Sequence, residues 1–355
     1  MSILEPPTQG SVSTAIRRNP GSTTMHDLPL YPLRFEPIYQ YRLWGGRRLT
    51  DLLSAPLPDD GPIGEAWLLS DRDDHASRVA DGPLKGRTIS QVMEQWQEPL
   101  MGRLAGRFTR FPLLLKFLDV RGSLSVQVHP SDAQTELLPP GESGKTEAWV
   151  VLEAGAESRI FAGLAPATTA EVLAQALTKG AVRDRLVSFS PARGDGVFIP
   201  AGTVHSLSDV MVFEVQQNSD VTFRLYDWDQ IDPQTGKRRP LQIDQALAAI
   251  DFTQGALGPV TPVTEEQAPL RRESLFHCAH FGLRRFSAEA PFTVGAAEMP
   301  HVLVCIGGDG ELLYDGLSYP FGKGDVLLLP AVVGACVCRP RAAMIVLEMS
   351  LPEAT

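Results

Sequence analysis

The sequence predicts a mainly β protein made of two β-domains, with a few helices inserted in and around the first. Short strand-like runs separated by turn residues recur along most of the chain, and the last series begins at about Leu275. Residues 194–201 (Gly-Asp-Gly-Val-Phe-Ile-Pro-Ala) return in altered form as residues 324–331 (Gly-Asp-Val-Leu-Leu-Leu-Pro-Ala). This internal repeat indicates that the second β-domain is a diverged copy of part of the first.

Length, composition and charge limit the function classes. A chain of 355 residues can form two ordinary domains, and 43% hydrophobic with 21% charged residues is typical of a soluble globular protein. The net charge of -10 is accompanied by no basic stripe, which argues against a nucleic-acid binder. An anionic substrate would therefore need a local positive pocket.

The cysteines and the absence of long apolar runs predict a cytoplasmic protein. All four cysteines lie in the C-terminal part, and their spacing does not resemble the disulfide framework of a small secreted domain. Cys336 and Cys338 are two residues apart in a strand-like run, so we expect both in the core. No signal peptide and no apolar run of membrane-spanning length is recognisable.

The chain divides into a tail and two domains. Residues 1–28 are rich in proline, glycine and serine without apolar periodicity, so we expect a mobile tail, with Met25 as an alternative start. The first domain is assigned to residues 29–255 and the second to residues 256–355.

The first domain opens with a strand and a helical region. Residues 63–70 read as a strand bounded by turn residues. Residues 88–105 carry apolar positions at helical spacing, with Thr88 or Ser90 as the cap. Pro99 should end or kink this helix near its middle, so two short helices are as well supported as one.

A buried strand is predicted at residues 111–120, and it contains Lys116. A lysine in an apolar run is costly unless it is paired or functional, or unless its amine reaches the solvated side of the strand. In the rest of the first domain, helices are predicted at residues 168–187 and 241–250. Strands are predicted at residues 194–200 and within residues 210–226.

Polar side chains alternate with valines in residues 124–130. Successive residues of a strand face opposite sides, so Ser125, Gln127 and His129 project together while Val126 and Val128 pack on the other side. The strand therefore presents one polar face and one apolar face.

Two further residues could complete a metal site with this face. Glu147 is the next carboxylate in a strand-like run, with Lys145 on the same face, and His205 follows a turn at residues 200–204. Two imidazoles, a carboxylate and an amide oxygen are four ligands for a divalent ion, with room left for water or substrate. A single histidine is more often structural, but burying the whole set without a shared purpose would leave costly polar groups.

Four motifs in order carry a family resemblance. They are residues 125–130 (Ser-Val-Gln-Val-His-Pro), 145–149 (Lys-Thr-Glu-Ala-Trp), 200–207 (Pro-Ala-Gly-Thr-Val-His-Ser-Leu) and 216–227 (Gln-Gln-Asn-Ser-Asp-Val-Thr-Phe-Arg-Leu-Tyr-Asp). From about Leu33 onward the chain resembles the type I mannose-6-phosphate isomerases in their shorter bacterial form. The resemblance implies two cupin-type (jelly-roll) β-barrels, and a zinc-dependent interconversion of mannose 6-phosphate and fructose 6-phosphate.

The resemblance also implies roles for individual residues. One Zn²⁺ per chain would be held by Gln127, His129, Glu147 and His205. The catalytic residues would be Lys116, Lys145 and Arg224, and the substrate-binding residues Trp44, Ser125, Lys145 and Arg224. For Arg224 the alternative is an ordinary strand arginine in an ion pair. The sequence leaves the general base open among Lys116, Lys145, Asp220 and zinc-bound water.

The repeat predicts a second barrel without a metal site. Counting five residues past each proline of the repeat gives His205 in the first copy and Ala335 in the second. We therefore expect the second barrel to be structural. The remaining histidines join no carboxylate motif and are assigned structural or surface roles: His26, His75, His277, His280 and His301.

Other functions are compatible with parts of this pattern. An isomerase of another six-carbon sugar phosphate is the nearest alternative, because the motifs indicate phosphate and metal better than they indicate an epimer. A cupin oxygenase would use a similar ligand set with iron, and a non-catalytic cupin would bind a sugar phosphate without the full ligand set. The expected partner is a small-molecule sugar phosphate, with no nucleic acid and no membrane, and the sequence does not predict the oligomeric state.

Overall fold

The structure, a computed structural model, describes residues 30–53, 56–58 and 61–353. The predicted tail (1–28) and the alternative start at Met25 lie outside the described residues. No α-helix within these three ranges is long and apolar enough to cross a membrane.

Strands dominate the N-terminal part of the described chain. They are β1 (Leu33–Arg34), β2 (Ile38–Gly46), β3 (Ile63–Leu69), β4 (Leu113–Asp119), β5 (Val126–Val128), β6 (Glu147–Leu164), β7 (Leu186–Phe189), β8 (Gly196–Ile199), β9 (His205–Gln217) and β10 (Phe223–Tyr226). The α-helices among them and after them are α1 (Ile89–Gln95), α2 (Gln97–Met101), α3 (Ala170–Thr178) and α4 (Ile243–Ala249).

The C-terminal part contains only strands among its described regular elements. They are β11 (Val263–Glu266), β12 (Leu270–His277), β13 (Gly282–Ala288), β14 (Phe292–Val294), β15 (His301–Gly307), β16 (Asp309–Tyr314), β17 (Leu317–Gly322), β18 (Val326–Leu329), β19 (Cys336–Pro340) and β20 (Met344–Ser350). The mainly β architecture with helices confined to the first domain is confirmed.

The first domain is a sheet that closes on itself. Its strands run in the order β10-β5-β9-β4-β3-β2, and β6 pairs with β7, β8 and β9. The ladder of β6 with β9 extends from Glu147 opposite Gln216 to Ala162 opposite His205. Glu147 and His205 are thus at opposite ends of one ladder, yet their side chains lie 3.3 Å apart. Only a curled sheet can bring the two ends together, and the metal-site candidates lie inside this curl.

The second domain packs a seven-stranded sheet against a four-stranded sheet. The strand orders are β1-β18-β15-β20-β13-β12-β11 and β14-β19-β16-β17. Apolar side chains from both sheets fill the space between them, including Phe286, Leu303, Phe321 and Cys338. Cys336 is buried there as well, as predicted for these two thiols.

The repeated segments form the same turn in both domains. Gly194 and Gly324 have φ angles of 90° and 91°, which only glycine adopts without strain. The Asp195 carboxylate accepts a hydrogen bond from the main-chain N–H three residues earlier, and Asp325 does the same, both at 2.8 Å. The repeat seen in the sequence is therefore also present in the structure.

The predicted helical region contains two short helices. Thr88 caps α1, and its hydroxyl and the Gln91 side chain exchange hydrogen bonds with the main chain in a capping box. The break falls at Trp96 and not at Pro99. Pro99 lies in the first turn of α2, where a missing N–H costs no helical hydrogen bond.

Candidate active site

His129, Glu147 and His205 form a buried cluster inside the first barrel. The Nε2 atom of His129 lies 3.5 Å from Glu147 Oε2, and Nε2 of His205 lies 3.3 Å from Glu147 Oε1. The three ligand atoms lie within 4.8 Å of one another, and all three residues are buried. This is the compact arrangement of two nitrogens and a carboxylate that a divalent ion requires.

Hydrogen bonds outside the cluster turn the basic atoms of both imidazoles inward. Nδ1 of His129 is 2.8 Å from the carbonyl oxygen of Val221, and Nδ1 of His205 is 2.9 Å from that of Thr203. Each Nδ1 therefore carries the proton that it donates, so each Nε2 presents a lone pair to the cluster. The buried Oε1 of Glu147 has no hydrogen-bond partner among the described residues. The residues fit a metal ion.

Gln127 lies beside the cluster because of strand pairing. It is opposite His205 in the β5–β9 ladder, and its side-chain amide lies 3.1 Å from His205 Nε2. The Ser125 hydroxyl donates to Gln127 Oε1 at 3.3 Å, so both project from one face as predicted. Val126 and Val128 pack into an apolar core on the opposite face. A half turn of the amide would aim its oxygen at the cluster as a fourth ligand.

Lys145 brings a positive charge to the cluster. Its ammonium group donates to Glu147 Oε2 at 2.6 Å and lies 3.1 Å from His129 Nε2. Burial opposes the charge of Lys145, but the carboxylates around it, led by Glu147, raise its pKa above the usual range. Burial and the charge of Lys145 lower the pKa of His129 to about 3, so this imidazole is neutral. A neutral imidazole is the form that binds metal.

The cluster adjoins a polar cavity of about 450 Å³. Among the sequence-predicted residues, the cavity is lined by Trp44, Lys116, Ser125, Gln127, Lys145, Asp220 and Arg224. The predicted site residues are thus brought together in one place, although they come from six separate stretches of the sequence.

Lys116 is enclosed by carboxylates. Its ammonium group lies 3.5 Å from Glu65, 3.6 Å from Glu214 and 3.8 Å from Asp220, and the side chain is 5% exposed. It also lies over the Trp67 ring, 4.9 Å from the ring centroid. The alternative of an amine on the solvated side of the strand is wrong.

The chain has relatives among known proteins. Residues 33–146 match the family model for the catalytic domain of type I phosphomannose isomerase. Over 306 residues the chain is 35% identical to mannose-6-phosphate isomerase ManA of Bacillus subtilis (strain 168), covering 85% of this chain and 94% of that protein. It is 32% identical over 304 residues to mannose-6-phosphate isomerase of Streptococcus mutans, covering 85% and 93%.

The chain belongs to the type I phosphomannose isomerase family. The crystal structure of the Bacillus subtilis mannose 6-phosphate isomerase superposes with a TM-score of 0.82 at 29% identity, covering 89% of this chain and 99% of that one. This structural match confirms the fold class predicted for the chain, which is mainly β with cupin-type barrels.

Arg224 enters the cavity from the strand beside Gln127, which it faces in the β10–β5 ladder. Its buried Nε has no hydrogen-bond partner, and it forms no ion pair with any described residue. The alternative of an ordinary ion-paired strand arginine is therefore wrong. Burial, with repulsion from Arg239 and Arg42, lowers the pKa of Arg224 and outweighs the attraction of Asp227 and Asp220.

Sequence reasoning missed two carboxylates of this cavity. Glu214 is 3% exposed, and its Oε1 accepts a hydrogen bond from Trp149 Nε1 at 3.1 Å. Burial raises the pKa of Glu214 to about 7. Glu65 accepts two hydrogen bonds from Arg42 and one from Trp67 Nε1. A charged residue inside an apolar strand was the available signal for both, as it was for Lys116.

The other described histidines lie outside the metal cluster. His75 is half-buried against the Trp67 ring, His277 is exposed, and His280 is 3.9 Å from the Asp132 carboxylate. His301 is buried, and its Nδ1 is 3.2 Å from the carbonyl oxygen of Met299. These placements agree with structural or surface roles, whereas His26 lies outside the described residues.

Proposed function

We propose that this protein is a zinc-dependent aldose–ketose isomerase that interconverts mannose 6-phosphate and fructose 6-phosphate. The observation that carries the proposal is the buried cluster of His129, Glu147 and His205 beside a cavity lined by cations. Membership of the family supports the same activity, because the relatives in Bacillus subtilis and Streptococcus mutans are mannose-6-phosphate isomerases. We keep the cytoplasm as the predicted location.

Gln127, His129, Glu147 and His205 would hold the zinc ion. Imidazole and carboxylate ligands suit zinc, and the main-chain carbonyls that fix both imidazoles supply the outer hydrogen bonds typical of zinc sites. A zinc ion supplies Lewis acidity that polarises the oxygens of the sugar at C1 and C2. Lys145 orients the Glu147 carboxylate through the 2.6 Å hydrogen bond.

The isomerisation moves a proton between C1 and C2 and passes through a negatively charged enediolate. We assign Arg224 to the stabilisation of that charge, because it forms no ion pair with a described residue and stands opposite Gln127 in the β10–β5 ladder. The Lys116 ammonium and the Glu214 carboxylate lie 3.6 Å apart, and we assign this pair to the transfer of the proton between C1 and C2 of the sugar. The Glu214 pKa of about 7 allows either protonation state of this carboxyl group near neutral pH.

Two alternatives differ in measurable ways. Two histidines and a carboxylate are also the ligand set of iron oxygenases, which would consume oxygen and need no anion-binding cations. An isomerase of another hexose phosphate would show a higher kcat/KM with that sugar than with mannose 6-phosphate. Metal analysis, oxygen uptake and parallel assays with several sugar phosphates separate these cases.

The direct test of the ligand assignment is His205→Ala. The change removes a nitrogen ligand that no other strand can replace, so zinc content and turnover should fall together. His277→Ala, an exposed histidine outside the cavity, is the control and should keep both. Full zinc occupancy and turnover in His205→Ala would overturn the assignment.

A further inference from the structure

A loop after β10 returns a second arginine to the cavity beside Arg224. The main-chain N–H of Gln242 donates to the carbonyl oxygen of Arg224 at 2.9 Å, and the Gln242 side chain accepts from the Arg224 N–H at 3.1 Å. Gln242 therefore lies alongside β10. This pairing brings Arg239 to the cavity wall, which it lines together with Arg224.

A buried carboxylate holds Arg239 in place. Arg239 Nε donates to Asp227 Oδ2 at 2.8 Å, and its Nη2 donates to Oδ1 of the same carboxylate. The side chains of Arg239 and Asp227 are 19% and 6% exposed. Within the described ranges, Nη1 of Arg239 makes no hydrogen bond. The guanidinium is thus fixed on one edge and has donors left for a ligand.

The arginines around this part of the cavity favour the binding of an anion. Arg42 is neutralised by Glu65 and Arg239 by Asp227, which leaves the charge of Arg224 without an ion pair among the described residues. Burial and repulsion from Arg239 and Arg42 lower the pKa of Arg224 and outweigh the attraction of Asp227 and Asp220. An incoming dianion would relieve this repulsion, whereas a neutral group would not.

The same loop is tied to the segment that carries Ser125. Trp228 Nε1 donates to the carbonyl oxygen of Leu124 at 2.6 Å, and Gln230 Nε2 donates to that of Ser123 at 2.9 Å. The Ser125 hydroxyl and Arg239 consequently line one cavity from two segments that are fastened together.

We propose that Arg239, positioned by Asp227, is a phosphate-binding residue that accepts the phosphate of the sugar phosphate together with the Ser125 hydroxyl. This inference rests on the proposed function and deepens it, because it places the phosphate at the loop side of the cavity and leaves the metal cluster for the reacting carbons. A planar guanidinium with a free edge suits a phosphate dianion by charge and by paired hydrogen bonds.

The test compares Arg239→Gln with Arg238→Gln in the zinc-loaded protein. Arg238 is the adjacent arginine, is 65% exposed and pairs with Asp229, so it is a matched control outside the cavity. For Arg239→Gln we expect the KM for mannose 6-phosphate to rise about tenfold or more, with a much smaller change in kcat. The affinity for inorganic phosphate, measured by calorimetry, should fall by a similar factor, and Arg238→Gln should change neither.

Unchanged KM and phosphate affinity in Arg239→Gln would overturn the proposal, and so would a loss confined to kcat. If Arg239→Gln does not fold, Arg239→Lys keeps the charge and the cavity wall but loses the forked donors. It should then weaken phosphate binding, and wild-type phosphate affinity in a folded Arg239→Lys would contradict the role.

Failure of the proposed function would give a different pattern. A wild-type protein that does not turn over mannose 6-phosphate, but binds inorganic phosphate through Arg239, would refute the isomerase activity and support the phosphate site. Normal turnover with phosphate binding that is independent of Arg239 would refute the phosphate site alone.

Discussion

Arg224 is half-buried and forms no ion pair with any described residue, and this combination is costly in a folded protein. Its Nε is buried without a hydrogen-bond partner among the described residues, and repulsion from Arg239 and Arg42, with burial, outweighs the attraction of Asp227 and Asp220. Such a cation is stabilised most when a negative charge develops next to it, and it stabilises that charge in return. That is the condition expected during the formation of an enediolate.

We predict that Arg224→Lys lowers kcat while zinc binding survives. Lysine keeps the charge but loses the planar forked donors, and Arg224→Ala should lower kcat further, by about 100-fold, the usual range for removing a donor to a developing oxyanion. Steady-state kinetics and zinc content of both variants provide the measurement. A near-normal kcat in Arg224→Ala, with zinc and fold intact, would return Arg224 to a structural role.

Glu214 should make the stability of the zinc-free protein depend on pH. Burial raises its folded pKa to about 7, above the ordinary glutamate value of about 4.3. The folded state then binds the proton more tightly than the unfolded state, so the free energy of unfolding falls as the pH rises between these values.

We expect Glu214→Gln to remove this part of the pH dependence. With a chelator present, the loss of unfolding free energy between about pH 5 and about pH 8 should be smaller than in the wild type by on the order of 1 kcal/mol. Urea titrations at the two pH values measure the difference. The same pH dependence in both proteins would show that Glu214 is ionised throughout.

The sequence predicts charged residues in apolar strands but not which of them meet. Lys116 interrupts an apolar run of the sequence, and Glu65 and Glu214 interrupt theirs in the same way. Their meeting depends on the pairing of β3, β4 and β9, in which Lys116 stands opposite both Trp67 and Glu214. Strand order and register are long-range properties that local patterns do not contain.

At the level of elements, the two barrels share a turn and differ in what their strands enclose. The β6–β8 pairing of Val150 with Gly196 is matched by the β15–β18 pairing of Val304 with Val326. In this register His301 of the second barrel corresponds to Glu147 of the first. Ala335 corresponds to His205, because each lies five residues after the proline of its repeat. The expected loss of the metal site in the second barrel agrees with its apolar filling.

The region of α1 and α2 shows which features of a helix can be predicted from local residue types. Residue types alone indicate Thr88 as one of two candidate caps, and two short helices as one of two equally supported arrangements. The position of the break could not be predicted from them, because proline is also tolerated in the first turn of a helix, where Pro99 lies in α2. The buried Trp96 marks the break instead.

Loss of the α1 cap should lower stability without affecting catalysis. Thr88→Ala removes the hydroxyl that accepts from the Gln91 N–H, so we expect a loss of about 1 kcal/mol in unfolding free energy. Turnover should be unchanged, because Thr88 does not line the active-site cavity. Thr178→Ala, in the exposed last turn of α3, is the control and should cost less. Equal losses in the two variants would contradict a capping role.

For the whole molecule, the two domains share a continuous apolar core. It combines Phe117 and Val150 from the first domain with Phe276, Val304 and Leu328 from the second. Strand β1 also pairs with β18 across the two parts of the chain. The domain limits of 29–255 and 256–355 stay a prediction. The metal-site candidates and their cavity are formed by residues before position 240, and a structural role for the second barrel stays a prediction as well.

The central claim is that the cluster of His129, Glu147 and His205 holds a metal ion on which sugar-phosphate isomerisation depends. The most direct measurement is a coupled assay of the purified protein with mannose 6-phosphate, before chelation, after chelation and after addition of zinc. We predict formation of fructose 6-phosphate, loss of turnover on chelation and recovery with zinc. Absence of turnover in the metal-loaded protein, or turnover that survives complete removal of metal, would contradict the claim.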